Sequence, residues 1–170
     1  MTNSVSGEPE REIEAAPALI GALQALTRVL VAVALRSVET PSRGAVSLPQ
    51  FRVLLVIDDL GPTRPGMIAR AVGIDPSTVT RLVDRLVASG HLSRARDPGH
   101  RGAVALALTE LGREVVSQVL SWRKQELSRI AARLTRPEQE TTAQALRQLA
   151  EAAGPDYGAM GAGLRLLLAA

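Results

Sequence analysis

The chain of 170 residues has no cysteine, and only one phenylalanine, one tryptophan and one tyrosine. Without cysteine there is no disulfide, no thiol switch and no thiolate metal site. Its two histidines, His91 and His100, are too few for a structural zinc site. No cofactor or metal is therefore expected. The shortage of aromatic rings also argues against a platform that stacks single-stranded bases. It leaves Ala, Leu and Val to fill the interior, which suits closely packed helices. An uninterrupted apolar run of about 18 residues is absent as well. The first ten residues, Met1 to Glu10, are polar and acidic, unlike a secretory leader. These absences read as a soluble, cytoplasmic protein with no membrane partner. With 46% of residues hydrophobic, wholesale disorder is not expected.

The net charge is only +3, but it is unevenly spread. Residues 64–102 hold seven arginines (64, 70, 81, 85, 94, 96 and 101) against three aspartates (75, 84 and 97), a local net of +4. Nineteen of the twenty basic residues are arginine, the better geometric match to phosphate and to guanine edges.

Punctuation along the chain divides it into segments. Residues 1–9 read as a flexible tail, and 10–47 as a helix and linker. In that helix Ala16, Leu19, Leu23, Leu26, Leu30 and Val33 are spaced alternately three and four apart, a coiled-coil-like stripe. Residues 48–59 form an apolar helix too dense for a surface position, and Gly61-Pro62 ends it. A short helix over 65–71 should turn Ile68, Ala69 and Val72 inward. Gly73 then suits a positive φ, Asp75 a helix N-cap and Pro76 the first helical residue. That predicts a further helix over 76–89. Strands are expected at 91–96 and 103–108, joined by a turn from Asp97 to Gly102. Thr109 should cap a helix over 110–134, with Leu111, Val115, Val119, Trp122, Leu127, Ile130 and Leu134 inward. Thr135-Arg136-Pro137-Glu138 should open a last helix to about 153, and 154–170 reads as a flexible tail.

Chemistry concentrates in residues 76–108. On a wheel of about 100° per residue, Val79, Leu82, Val83 and Leu86 share one face and are expected in the core. Ser77, Arg81, Asp84 and Ala88 lie opposite, flanked by Thr78, Thr80 and Arg85. Short hydroxyls near the N-terminus let a helix sit deep in the major groove, and Arg81 can make a bidentate contact to guanine. Asp84 would repel phosphate unless a nearby arginine pairs with it. The hairpin beside this helix brings Arg94, Arg96, His100 and Arg101, a poor set for burial and a good one for anions. Taken alone, the helix is also compatible with an ordinary solvated surface.

Three stretches carry a resemblance: Leu48 to Leu54, Asp75 to Leu86, and Leu106 to Arg113. In these the sequence resembles the winged helix-turn-helix of the MarR family of bacterial transcription regulators. The resemblance implies a mainly α fold with a small β-wing. Residues 48–109 would bind double-stranded DNA, and helices in 10–47 and 110–153 would form a homodimer. It also implies a repressor acting on a pseudo-palindromic operator and associated with the nucleoid when bound. The DNA-contacting set on the recognition helix would be Ser77, Thr78, Thr80, Arg81 and Arg85, with Arg81 at a base-reading position and Arg101 at the wing tip entering the minor groove. Many members of the family bind small, often aromatic or anionic, effectors between the winged domain and the dimer helices. For such a crevice the candidates are Arg28, Arg36, Phe51, Arg52 and Trp122, although Phe51 and Trp122 also suit a plain core.

The sequence departs from the family pattern in the wing. His100 stands where a bracing acid is usual, Gly102 replaces an arginine, and Met67 replaces an acid early in the third helix. Gly102 leaves open a winged-helix module that binds protein instead of DNA, and DNA binding without any ligand is also open. No catalytic triad, phosphate loop or metal spacing is present, so no enzyme is expected.

Overall fold

The computed structural model describes residues 17–39, 46–96 and 104–159. Expectations for the N-terminal tail, the wing turn with His100 and Arg101, and residues 160–170 lie outside these residues. By internal contacts the chain divides into two compact units, residues 1–32 and 33–170.

The second unit is built around α2 (Leu48–Leu60). A reciprocal box starts this helix: the Ser47 amide donates to Gln50 Oε1 at 2.8 Å, and the Gln50 amide donates to Ser47 Oγ at 3.4 Å. Its apolar run is buried on all sides, from Phe51 and Val53 through Ile57. Gly61 closes the helix at φ 71°. Thr63 then exchanges two backbone bonds with Leu106, a single bridge beside the hairpin.

α3 (Pro65–Val72) ends at Gly73, whose φ of 70° and ψ of 36° place it in the left-handed region that glycine tolerates. Ile68, Ala69 and Val72 are buried, as their spacing predicts. α4 (Pro76–Ala88) begins at Asp75, whose carboxylate accepts from the Ser77 amide at 2.8 Å. β1 (Leu92–Arg96) and β2 (Val104–Leu108) pair antiparallel, with Leu92 opposite Leu108 and Arg96 opposite Val104. The fold is thus mainly helical with a small two-stranded wing.

α5 (Glu110–Ala131) is capped by Thr109, which accepts from the Gly112 amide at 3.1 Å. Gly112 is required here by space: a Cβ on it would lie 2.3 Å from the His91 carbonyl oxygen. α5 packs through Val115, Val116 and Val119, but the predicted inward stripe fails beyond them. Ile130 and Leu134 are 37% and 40% exposed, and Leu111, Trp122 and Leu127 are half-buried. The position that faces in is Arg123.

α6 (Arg136–Ala159) runs past the expected end, because Gly154 (φ 69°, ψ −178°) breaks the helix without stopping it. Throughout 136–153 its residues are exposed, Leu146 and Leu149 included. α1 (Pro17–Glu39) crosses the unit boundary. Within the first unit Leu19, Ile20, Val29, Leu30 and Val31 are exposed; in the second, Val33 and Ser37 are buried. The stripe predicted for this helix is therefore uncovered at Leu19 and Leu30.

By length and composition alone, α1 also meets the measure of a membrane-crossing helix. Its most apolar 18-residue window has a mean hydropathy of 2.0, long and apolar enough to cross a membrane. The run is not continuous, because Gln24, Thr27 and Arg28 interrupt it.

Candidate nucleic-acid interface

The HTH pair is α3 and α4, and α4 carries the outward chemistry. Its inner face is closed: Val79, Leu82, Val83 and Leu86 are all buried. The outer face shows Ser77, Thr80, Arg81, Asp84, Arg85 and Ala88 exposed, with Thr78 half-buried. Local bonds fix how these groups point. Thr80 Oγ1 donates to the Pro76 carbonyl at 3.0 Å, so its lone pairs remain as acceptors. Arg81 Nη2 reaches Thr78 Oγ1 at 3.5 Å. The side chain and amide of Ser77 both bond to Asp75, holding that carboxyl below the usual carboxylate range.

Asp84 has the partner its position requires. Arg94 on β1 makes a charge-assisted bond to it through Nη2. The free chain thus uses Arg94 for an internal pair, although the hairpin pattern offers it to DNA. Arg96 closes β1 opposite Val104.

The five effector candidates are treated differently. Phe51 is 1% exposed, in the core. Arg52 Nη2 donates to the Val72 carbonyl at 2.8 Å, which satisfies the C-terminal end of α3 and gives this side chain a structural task. Trp122 is half-buried and Arg36 exposed. Arg28 belongs to the first unit and is exposed there.

The residue that sequence reasoning missed is Arg123, only 5% exposed. Its guanidinium lies 4.9 Å from the centroid of the Phe51 ring, and Nε donates to Ser37 Oγ at 2.8 Å. Ser37 Oγ in turn donates to the Ala34 carbonyl at 2.7 Å. Nη1 is buried without a hydrogen-bond partner, and no carboxylate among the described residues pairs with the cation. Burial alone pushes its pKa down from the usual arginine value. The signal was available: Val115, Val119 and Arg123 are spaced four apart, so one face holds all three. Trp122, the hydrophobic neighbour, lies one residue off that face and is half-buried.

Among the described residues no group of His, Cys, Asp and Glu could hold a metal ion.

Comparisons with known proteins agree with this geometry. The sequence profile of the MarR family matches residues 46–101, from the start of α2 into the wing turn. The HTH-type transcriptional repressor MdtR of Bacillus subtilis is 31% identical over 134 residues, covering 79% of this chain and 84% of MdtR. The uncharacterized HTH-type transcriptional regulator YfiV of the same organism is 31% identical over 52% of this chain, but the match spans only 55% of YfiV. Among solved structures, RV1404 from Mycobacterium tuberculosis is 33% identical with a TM-score of 0.72, covering 83% of this chain and 95% of that one. The chain belongs to the MarR family of DNA-binding transcriptional regulators.

Proposed function

We propose that the chain is a homodimeric repressor that reads a pseudo-palindromic duplex through α4 and is released by a small anionic effector. The observation that carries the DNA-reading part is the outer face of α4. Hydroxyls and two arginines stand exposed over a buried apolar face, and the one acid there is neutralised by Arg94. Ser77, Thr78 and Thr80 suit phosphates and base edges, and Arg81 and Arg85 suit guanine or phosphate. Arg96, His100 and Arg101 supply the wing, with Arg101 in the minor groove. Repression is supported by the name of the relative MdtR.

Dimerisation is supported by apolar side chains that the chain leaves uncovered: Leu19, Leu30 and Leu35 of α1, and Leu146 and Leu149 of α6. A dimer of helix-turn-helix subunits reads two half-sites about 34 Å apart, one helical turn of the duplex. A dimer also gives the apolar α1 a protein neighbour in place of a bilayer. A DNA-binding regulator of this kind works in the cytoplasm, associated with the nucleoid when bound.

For the effector, the support is Arg123: a buried cation with no counter-charge among the described residues and an unsatisfied Nη1, beneath Phe51. A carboxylate there would recover the desolvation cost of the guanidinium. Trp122, Arg28, Arg36 and Arg52 are left with weaker claims.

The decisive experiment selects duplexes from a random pool with purified protein, then measures affinity against salt. Contacts to several phosphates give a steep linear fall of log K with log salt, about 0.9 per phosphate neutralised. A flat dependence would instead favour a protein-binding module. For the effector, Arg123→Met should keep duplex affinity within about threefold and abolish release by aromatic carboxylates such as benzoate, read by fluorescence anisotropy. Release by benzoate that is undiminished in this variant would refute the assignment.

A further inference from the structure

The Asp84–Arg94 pair joins two elements that must act together on DNA. Asp84 lies on the exposed face of α4, and Arg94 is the third residue of β1. Alternation along the strand puts Arg94 on the same side as Leu92, which is buried, while Ser93 and Ala95 face the other way and are exposed. Across the ladder Arg94 is paired with Leu106, itself 1% exposed. The guanidinium therefore leaves the strand on its core-facing side and continues past the core edge to the helix. Both side chains remain about half exposed, 52% for Arg94 and 55% for Asp84. A pair that open to solvent contributes little to folding. Its placement has two further consequences. It cancels the only acid on the outer face of α4, which would otherwise repel phosphate. It also ties the base of the wing to the middle of that helix, so wing and helix present one fixed spacing.

We propose that Asp84 and Arg94 are positioning residues for operator reading: a brace that sets the wing against α4, with Arg94 working through Asp84 and not by touching DNA. This rests on the DNA-reading role of α4. A brace affects which duplex is preferred. A phosphate contact affects how tightly every duplex is held and how steeply that depends on salt.

The test uses the full purified chain, the duplex it selects from a random pool, and a scrambled duplex of equal length and composition. The variants are Asp84→Asn, Arg94→Gln, and the exchange carrying Asp84→Arg with Arg94→Asp. Circular dichroism melting checks that each folds. Each single variant should lower the selected-to-scrambled affinity ratio about fivefold or more, and the exchange should restore most of it. The salt slope of Arg94→Gln should stay within about half a unit of wild type. Three results would overturn the brace: Arg94→Gln flattening the slope by about 0.9 with an unchanged ratio, Asp84→Asn tightening both duplexes alike, or an exchange that restores nothing. A wild type that discriminates between the duplexes while its variants match it defeats the brace alone. A wild type that binds neither duplex defeats the DNA-reading role itself.

Discussion

The winged core and α6 follow the same helical period and end in opposite states. In the core, the apolar positions of α2, α3 and α4 find partners within the chain: Val53, Leu54, Ile68, Val79 and Leu86 are sealed. In α6, Leu146 and Leu149 repeat at helical spacing but stand 41% and 36% exposed. Propensity does not separate the two regions, since both helices form. What differs is where the covering surface comes from. The core is completed by its own sequence. α6 forms its helix alone and leaves its apolar face for another surface, which by the dimer proposal is a second copy.

The largest effect should come from breaking the self-completed region. Leu54→Ala removes a fully buried side chain at the centre of α2 and should cost about 2–5 kcal/mol. Urea denaturation measures it, and the loss should be similar at every protein concentration. A loss below about 0.5 kcal/mol would mean that α2 is not the centre of the core.

Next comes the region that needs a partner. Leu146→Asp combined with Leu149→Asp should leave the helical signal of the winged core intact and shift the protein from dimer to monomer in sedimentation. Affinity for a two-half-site duplex should then fall about 100-fold, because half-sites are no longer bound together. Thermal stability should become independent of protein concentration in this variant, whereas in the wild type it should rise with concentration. A variant that still sediments as a dimer would remove α6 from the interface.

The same contrast explains what could be read from the sequence. α3, the turn at Gly73, the cap at Asp75 and the buried face of α4 were legible, because capping chemistry and the 3.6-residue period are local. The need for a partner at Asp84 was legible too, since an acid among outward arginines needs one. Arg52 was not, because its bond to Val72 joins residues 20 apart in sequence and sequence pattern gave no sign of it. Hydrophobicity predicts Ile130 and Leu134 inside, but the surface that would cover them is not in the chain's own winged core. The glycine-rich composition from Gly154 onward predicts the end of α6 near 153, yet the helix resumes after a break at Gly154. The Ser47–Gln50 box has the spacing of a capping pair and stands directly before the apolar run of α2.

The smallest expected effect compares the caps of the two regions. Asp75 starts α4 and Glu138 lies in the first turn of α6, and both carboxyls are held below their ordinary values of 3.8 and 4.5. The main cause is hydrogen bonding: Ser77 donates to Asp75, and the hydroxyl and amide of Thr135 each donate to Glu138 at 2.7 Å. A lowered folded-state value means that the unfolded chain takes up protons first as pH falls. The stabilisation is therefore fully present above the ordinary values and is lost as pH drops through the lowered ones, below about pH 4. Both groups are exposed to solvent, so the change is small. Asparagine also caps helices, so Asp75→Asn should match the wild type near neutral pH. Between pH 5 and 3 its melting temperature should fall less steeply than that of the wild type. Glu138→Gln should remove a separate part of the same acid slope, and the double variant both parts, because the two caps start different helices and share no hydrogen bond. Identical acid slopes for wild type and Asp75→Asn would show that the Ser77 bonds to this carboxylate do not favour its charged form.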